Sequence, residues 1–195
     1  MENKKSNNLA VIGYVSTAIR QNEDYYATEP KALEIWPKRY DFKNVWEPAV
    51  GGGHLAKIFS EDGNLAKVSD IIDRNFPNTE IIDFLKFDGT WDGDIVTNPP
   101  FKMASQFLEK AINVVNPGAK VALFLPIRYL EGIARYEVMK KYPPKEIWVS
   151  VRRLTCAKNG DPEVFAKGSA TAYAWFVWEK GFTGKPEINW FNYEK

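Results

Sequence analysis

The residues with the most specific chemistry are Asn98-Pro99-Pro100-Phe101, which follow a short apolar run, Asp94–Thr97. Two prolines directly after a buried strand fix the backbone in an extended form. Their carbonyls cannot turn back into a helix, so they stay available as acceptors. Asn98 adds a side-chain carbonyl and Phe101 a flat face. This set suits the activation of an exocyclic amine on a base, a poor nucleophile because its lone pair is delocalised into the ring. The Asn98 side chain and the Pro99 main-chain carbonyl can bind its two N–H groups. The nitrogen then becomes tetrahedral, with its lone pair aimed at a sulfonium methyl, which is catalysis by orientation. Phe101 can stack on an extruded base. A structural Pro-Pro turn is the plain alternative. No covalent nucleophile is needed, and Cys156 need play no part.

A second constellation lies upstream. Val45-Trp46-Glu47-Pro48-Ala49-Val50-Gly51-Gly52-Gly53 delivers a strand into a glycine turn, and His54–Ser60 restarts as a helix. Glycine lets a ligand approach the backbone closely, and the helix that follows points free N–H groups at the same place. The arrangement suits a nucleotide-like cofactor at the carboxyl end of a parallel sheet. The acid before the glycines is not part of a dinucleotide fingerprint, and no Gly-Lys-Ser/Thr follows to make a P-loop. The second strand ends at Asp70, an acid placed to accept hydrogen bonds from ribose hydroxyls or to cap a helix. Asp83-Phe84-Leu85 offers a carboxylate and an aromatic face for an adenine ring, or a strand end with a core phenylalanine. All three sites fall at the ends of successive strands, and jointly they favour ligand binding.

The elements that must position these groups alternate between strand and helix, the pattern of an α/β domain with a mostly parallel sheet. Strands are expected at Asn44–Glu47, Leu65–Ser69, Glu80–Phe84, Asp94–Thr97, Lys120–Leu125, Glu146–Val151 and Thr171–Trp178. Lys31–Lys38 is expected as a first helix. An amphipathic helix carries Phe107, Leu108, Ala111, Ile112 and Val115 on one side. A further helix falls between Arg128 and Lys145, before Tyr142-Pro143-Pro144 ends it. Arg152–Ser169, rich in Lys, Gly, Asn and Asp, reads as a mobile loop.

At 195 residues, 45% hydrophobic and 14% aromatic, the chain fits one packed domain, with residues 1–20 peripheral. It shows no secretory layout and no run long enough to span a bilayer, so a cytoplasmic protein without membrane attachment is expected. One cysteine and one histidine exclude an internal disulfide and a zinc-finger ligand set, and no metal is expected. The net charge of +1 lacks the basic excess common in duplex binders. The bases nonetheless cluster late in the chain, where Arg128, Arg152, Arg153 and Lys158 are candidate nucleic-acid contacts. A solvated surface is the plain alternative. His54 is read as a first-turn residue of its helix without a catalytic part.

Together these strings resemble the small phage and prophage DNA adenine N6-methyltransferases of the class I S-adenosylmethionine-dependent fold. Asp24-Tyr25-Tyr26-Ala27-Thr28-Glu29-Pro30 resembles their N-terminal cofactor motif, and Glu47-Pro48-Ala49-Val50-Gly51-Gly52-Gly53 their glycine-rich motif. Asp70 matches the ribose-binding acid, Asp83-Phe84-Leu85 the adenine-side motif, and Asn98-Pro99-Pro100-Phe101 the catalytic tetrapeptide. Tyr173–Trp178 is similar to their closing strand.

The resemblance implies a Rossmann-like fold with a seven-stranded, mostly parallel sheet and helices on both faces. It implies S-adenosyl-L-methionine as cofactor, held by Tyr25, Tyr26, Ala27, Thr28, Glu47, Pro48, Ala49, Gly51, Gly53, Asp70, Asp83, Phe84, Leu85 and Asn98. Direct methyl transfer to a flipped adenine of DNA is the implied reaction, in a bacterial or phage-infected cell. The same tetrapeptide occurs in enzymes that methylate RNA bases and protein glutamine, so those substrates, and a non-catalytic cofactor-binding subunit, are the alternatives. Only 15 residues follow Lys180, and no separate recognition domain is expected. Target choice would then fall to Arg128–Pro144, to Arg152–Ser169, or to a partner chain or second copy.

Overall fold

The computed structural model describes residues 25–34, 40–167 and 169–192. The peripheral segment expected at residues 1–20 and the end of the first expected helix lie outside them. In chain order the elements are β1 (Tyr26–Thr28), α1 (Lys31–Glu34), β2 (Val45–Glu47), α2 (Ala56–Glu61), β3 (Leu65–Asp70), β4 (Glu80–Ile81) and β5 (Ile95–Thr97). There follow α3 (Ala104–Val114), β6 (Lys120–Pro126), α4 (Ile133–Lys141), β7 (Glu146–Ser150), β8 (Cys156–Lys158), α5 (Pro162–Lys167), β9 (Tyr173–Glu179) and β10 (Glu187–Phe191). Single 3-10 turns occupy Phe84–Lys86, Phe101–Met103 and Ile127–Leu130.

Eight strands form one sheet in the order β10-β7-β9-β6-β5-β2-β3-β4. All are parallel to their neighbours except β9, which runs antiparallel between β6 and β7. The chain enters this sheet at β2, steps outward to β3 and β4, then crosses back to β5 on the other side of β2. The order therefore reverses between β2 and β5, which is where open α/β sheets form their ligand crevice.

Strand alternation divides the core between the two faces. In β6, Ala122 and Phe124 join Phe42, Leu55, Phe59, Trp175 and Val177 on one face. Val121, Leu123 and Leu125 join Trp46, Phe176 and the buried side of α3 on the other. α1 and α2 cover the first face and α3 the second, so helices flank both. β6 and β9 are buried almost throughout, as expected of central strands. Trp46 is anchored by its indole N–H on the Ser69 hydroxyl at 2.9 Å and packs edge-on against Phe84 and Phe87. No helix among the described residues is long and apolar enough to cross a membrane.

Three features depart from the sequence expectation. The sheet has an eighth strand, β10, whose outward Ile188 and Trp190 are exposed, so it lacks the apolar-in, polar-out pattern that would announce it. Arg152–Ser169 is not a plain loop: it holds β8 and α5, and β8 pairs antiparallel with β1 in a separate two-stranded ribbon. Strands of three residues are too short to show a period. Glu80–Phe84 is a strand only over Glu80–Ile81, because Asp83 caps the turn that follows.

The buried Asp94 carboxylate fastens the amino ends of the strands. It accepts from the main-chain N–H of Lys43 at 2.8 Å and of Lys120 at 2.6 Å. Asp94→Ala leaves both donors without that partner and should cost about 2–4 kcal/mol of stability. Urea unfolding of parent and variant measures the loss.

Candidate active site

β5 hands its last residue, Thr97, to Asn98 at the crevice. The Asn98 side-chain NH2 donates to the main-chain carbonyl of Tyr26 at 2.7 Å and lies 3.8 Å from the Cys156 sulfur. Its oxygen, Oδ1, is buried and has no hydrogen-bond partner among the described residues. A carbonyl partner fixes which end of the amide is nitrogen, so the oxygen is the end left to accept. The Pro100 carbonyl takes the N–H of Met103 at 2.8 Å and starts a 3-10 turn, against the expectation that both proline carbonyls stay available, because a 3-10 turn follows the pair at once. Phe101 stands between two tyrosines. Its ring is 6.4 Å from Tyr26 at 27° and 5.9 Å from Tyr173 at 38°, and Tyr173 continues onto Phe124. Tyr26 is 51% exposed, so this aromatic row opens to solvent at its end.

The glycine turn lies at the end of the neighbouring β2. Gly51 and Gly53 have φ of +54° and +77°, a backbone that other residues rarely adopt. A Cβ at Gly51 would stand 2.7 Å from the Tyr25 ring, and one at Gly53 would collide with the Phe76 ring. Asp70, at the end of β3, accepts from the Gly51 N–H at 2.9 Å and the Ile72 N–H at 3.2 Å, which ties the turn to the second strand. Glu47 is 2% exposed, and its Oε2 has no partner among the described residues. Burial, and then the charge of Asp70, hold its carboxyl well above the usual carboxylate range, with the Ala56 N–H acting the other way.

Most of the residues singled out in the sequence meet here. Tyr25 covers the glycine turn, with the Arg74 guanidinium 4.7 Å from its ring centre. Tyr26 reaches Phe101, while Ala27 and Thr28 are buried in β1. Pro48 is buried and Ala49 half-buried between Glu47 and the turn. The Asp83 group stands apart. Asp83 caps its own turn on Leu85 N–H and pairs with Lys86 at 3.2 Å. Phe84, 2% exposed, is packed against Trp46 and Phe107, so its ring serves the core, and Leu85 is half-buried beside it.

The four basic candidates are distributed unevenly. Arg128 is exposed, and its charge acts on the Tyr173 hydroxyl. Lys158 faces Tyr26 across the ribbon. Arg152 donates to the Asn192 side chain at 3.0 Å and Arg153 to the Ala170 carbonyl at 3.3 Å.

Sequence reasoning set aside two residues that the fold brings in. His54 is half-buried beside the Tyr25 and Phe165 rings, its Nδ1 has no partner among the described residues, and burial lowers its pKa. Cys156 touches Asn98, and burial pushes its thiol up to about 12, so it stays protonated. Neither had a local signal, because each contact crosses a long sequence separation. Two surface clefts, of about 430 and 540 Å³, lie beside α1–α2 and at the opposite end of the strands. Neither takes in Asn98, Gly51 or Asp70, and the Tyr25 and Phe76 rings stand over the glycine turn.

No protein-family model matches the sequence, and no curated protein matches it. Solved structures do. A modification subunit ascribed to a type I restriction enzyme of Vibrio vulnificus superposes with a TM-score of 0.59 at 16% identity, over 98% of this chain and 53% of that one. The methyltransferase subunit of a type I restriction-modification system from Streptococcus thermophilus gives 0.55 at 12%, over 98% and 53%. A protein of Listeria monocytogenes, ascribed to the class I S-adenosylmethionine-dependent methyltransferases, gives 0.52 at 13%, over 94% and 64%. The fold is the class I methyltransferase fold. The chain spans about half the length of the two restriction-modification subunits and under two thirds of the Listeria protein.

The buried Glu47 sets a pH signature. An acid whose pKa is raised on folding stabilises the fold below its unfolded value, about 4.3, and loses that contribution as pH climbs toward the raised value. Parent stability without ligand should therefore fall between pH 5 and pH 8. Glu47→Gln should be flatter and the more stable of the two at pH 8. Urea midpoints at both pH values decide this, and equal slopes in parent and variant would refute it.

Proposed function

We propose that this chain is an S-adenosylmethionine-dependent amino-methyltransferase whose substrate is the N6 amine of adenine in DNA. The observation that carries this reading is the Asn98 oxygen: buried, without a hydrogen-bond partner among the described residues, and oriented by the bond that its own amide nitrogen makes. An acceptor so placed suits a donor with two N–H groups. Asn98 Oδ1 and the Pro99 carbonyl accept hydrogen bonds from those two N–H groups, which draws the amine nitrogen out of conjugation. Phe101 would give the extruded base a flat face once Tyr26, exposed at the open end of the aromatic row, yields its place to the base. Neither Asn98 nor proline can take up a proton, so the proton displaced from nitrogen leaves to water.

The residues at the end of β2 and β3 fit the cofactor. It carries positive charge, and Glu47 and Asp70 are buried acids, one with an oxygen still to be satisfied. When bound, S-adenosylmethionine supplies an electrophilic methyl group. Glu47, Pro48, Ala49, Gly51 and Gly53 would form the floor of its site, Asp70 would hold the ribose, and Tyr25 to Thr28 would cover it. Asp83 and Leu85, which stand apart in the protein without ligand, would be the adenine edge, the Phe84 ring being committed to the core.

Arg128 and Lys158, beside Tyr173 and Tyr26, are the proposed phosphate contacts nearest the base. Arg152 and Arg153, held by Asn192 and the Ala170 carbonyl, are the further candidates. The neighbouring structures named as restriction-modification subunits support DNA as substrate. They also support sequence recognition supplied by a further chain or a second copy.

Incubation with methyl-labelled cofactor and unmethylated DNA should yield N6-methyladenine by mass spectrometry of the nucleosides. Asn98→Ala should lower the rate roughly a hundredfold or more with folding intact. Label recovered from RNA or protein in parallel reactions, with none in DNA, would reassign the substrate. A folded Asn98→Ala protein that methylates at the parent rate would overturn the mechanism.

A further inference from the structure

The arrangement that orients Asn98 is not built from its own neighbourhood. Both contacts to its amide nitrogen come from the β1–β8 ribbon: the Tyr26 carbonyl from one strand and the Cys156 sulfur from the other, 72 and 58 residues away. The ribbon is closed at both ends. Asn159, at φ +53°, donates its N–H to the Tyr25 carbonyl at 2.8 Å, and its side chain accepts from the Tyr25 N–H at 3.4 Å. At the other end the Glu29 N–H donates to the Thr155 carbonyl at 3.0 Å, and the Glu29 carboxylate accepts from the Thr155 N–H at 3.3 Å. In this register Tyr25, Ala27 and Glu29 face the partner strand with their backbone groups. The Tyr26 carbonyl therefore points away from β8 and is available to Asn98.

A side-chain amide rotates between two nearly equivalent orientations. Turned over, Asn98 would set its oxygen against the Tyr26 carbonyl oxygen and present N–H groups to the N–H groups of an incoming amine. Cys156 stays a protonated thiol whose sulfur is a weak acceptor beside the amide nitrogen, and the Tyr26 carbonyl, an acceptor only, is what discriminates against the turned-over amide.

We infer that the Tyr26 carbonyl and Cys156 are positioning groups for Asn98, and that the β1–β8 ribbon sets the orientation in which Asn98 can accept the substrate amine. The inference rests on the reading of Asn98 as the amine acceptor. The segment that carries β8 thus positions the acceptor through its ladder with β1 and through the Cys156 sulfur, although its residues touch no reacting atom.

The test uses the whole chain without cofactor and follows hydrogen exchange of the two Asn98 side-chain amide protons by nitrogen-15 NMR, identified by their loss in Asn98→Ala. Cys156→Ala removes one contact. Glu29→Ala loosens the ribbon from its half-buried end and leaves Cys156 in place, which covers the case where the buried substitution fails to fold. Each variant should speed exchange by roughly tenfold. Each should also lower kcat by a similar factor, with KM for the DNA substrate held within about twofold, because orientation and not binding is lost. Parent-like exchange and parent-like kcat in both folded variants would overturn the inference. If Asn98→Ala itself methylates normally, the proposed reaction fails instead, and exchange in the unliganded protein still judges the ribbon.

Discussion

The reversal of strand order between β2 and β5 is the constraint on which the rest of this molecule depends. Parallel neighbours bring their carboxyl ends to one edge of the sheet, and connections that leave toward opposite faces open a crevice between them. Each strand is spent almost wholly on the core up to its last residue: Val45 and Trp46 in β2, Ile95 to Thr97 in β5. Polar chemistry is therefore concentrated in the one residue that follows or ends each strand, Glu47 on one side and Asn98 on the other. The same geometry brings Asp70 of β3 to the glycine turn. Ser69, one residue back, holds the indole of Trp46 and fixes the spacing of the two strands from within.

That concentration has an energetic consequence. Burying a carboxylate beside another is unfavourable unless one of them takes a proton or meets a cation. Asp70 is compensated by two main-chain N–H groups. Glu47 keeps an oxygen unsatisfied among the described residues, so the resting protein carries a local cost at the place where a cationic ligand would relieve it. A packed core can tolerate this cost because it is well filled on both faces, from Phe59 and Trp175 on one to Trp46 and Phe176 on the other. Structures hold such strained groups where the surrounding fold over-determines them.

Much of the sheet was legible because its signals are local. Apolar runs of buried strands, the 3.6-residue period of α3 and the glycines of the turn all read correctly from neighbours in sequence. At Asn98-Pro99-Pro100-Phe101 the extended backbone after β5 was legible for the same reason, whereas the 3-10 turn that takes up the Pro100 carbonyl was not. What stayed hidden is non-local or has no period. β1 and β8 have three residues each and pair across about 130 positions, so Arg152–Ser169 looked like a free loop. β10 adds to an edge with Ile188 and Trp190 outward, against the pattern that marks a half-buried strand. At Asp83-Phe84-Leu85 the ring is a core phenylalanine, as in the plainer of two readings, but a capped 3-10 turn stands where that reading had a strand end.

The distant origin of the Asn98 partners follows from its neighbours. Pro99 and Pro100 have no N–H, and the pair keeps the chain extended, so no local turn can fold back onto the Asn98 side chain. β5 is flanked by β2 and β6, both engaged in ladder hydrogen bonds along the core. A partner for the amide nitrogen has to come from above the sheet edge. The ribbon is the element that stands there, with one carbonyl row turned away from its own ladder. The prolines thus leave the asparagine of the tetrapeptide without local support, and the fold supplies that support from the β1–β8 ribbon.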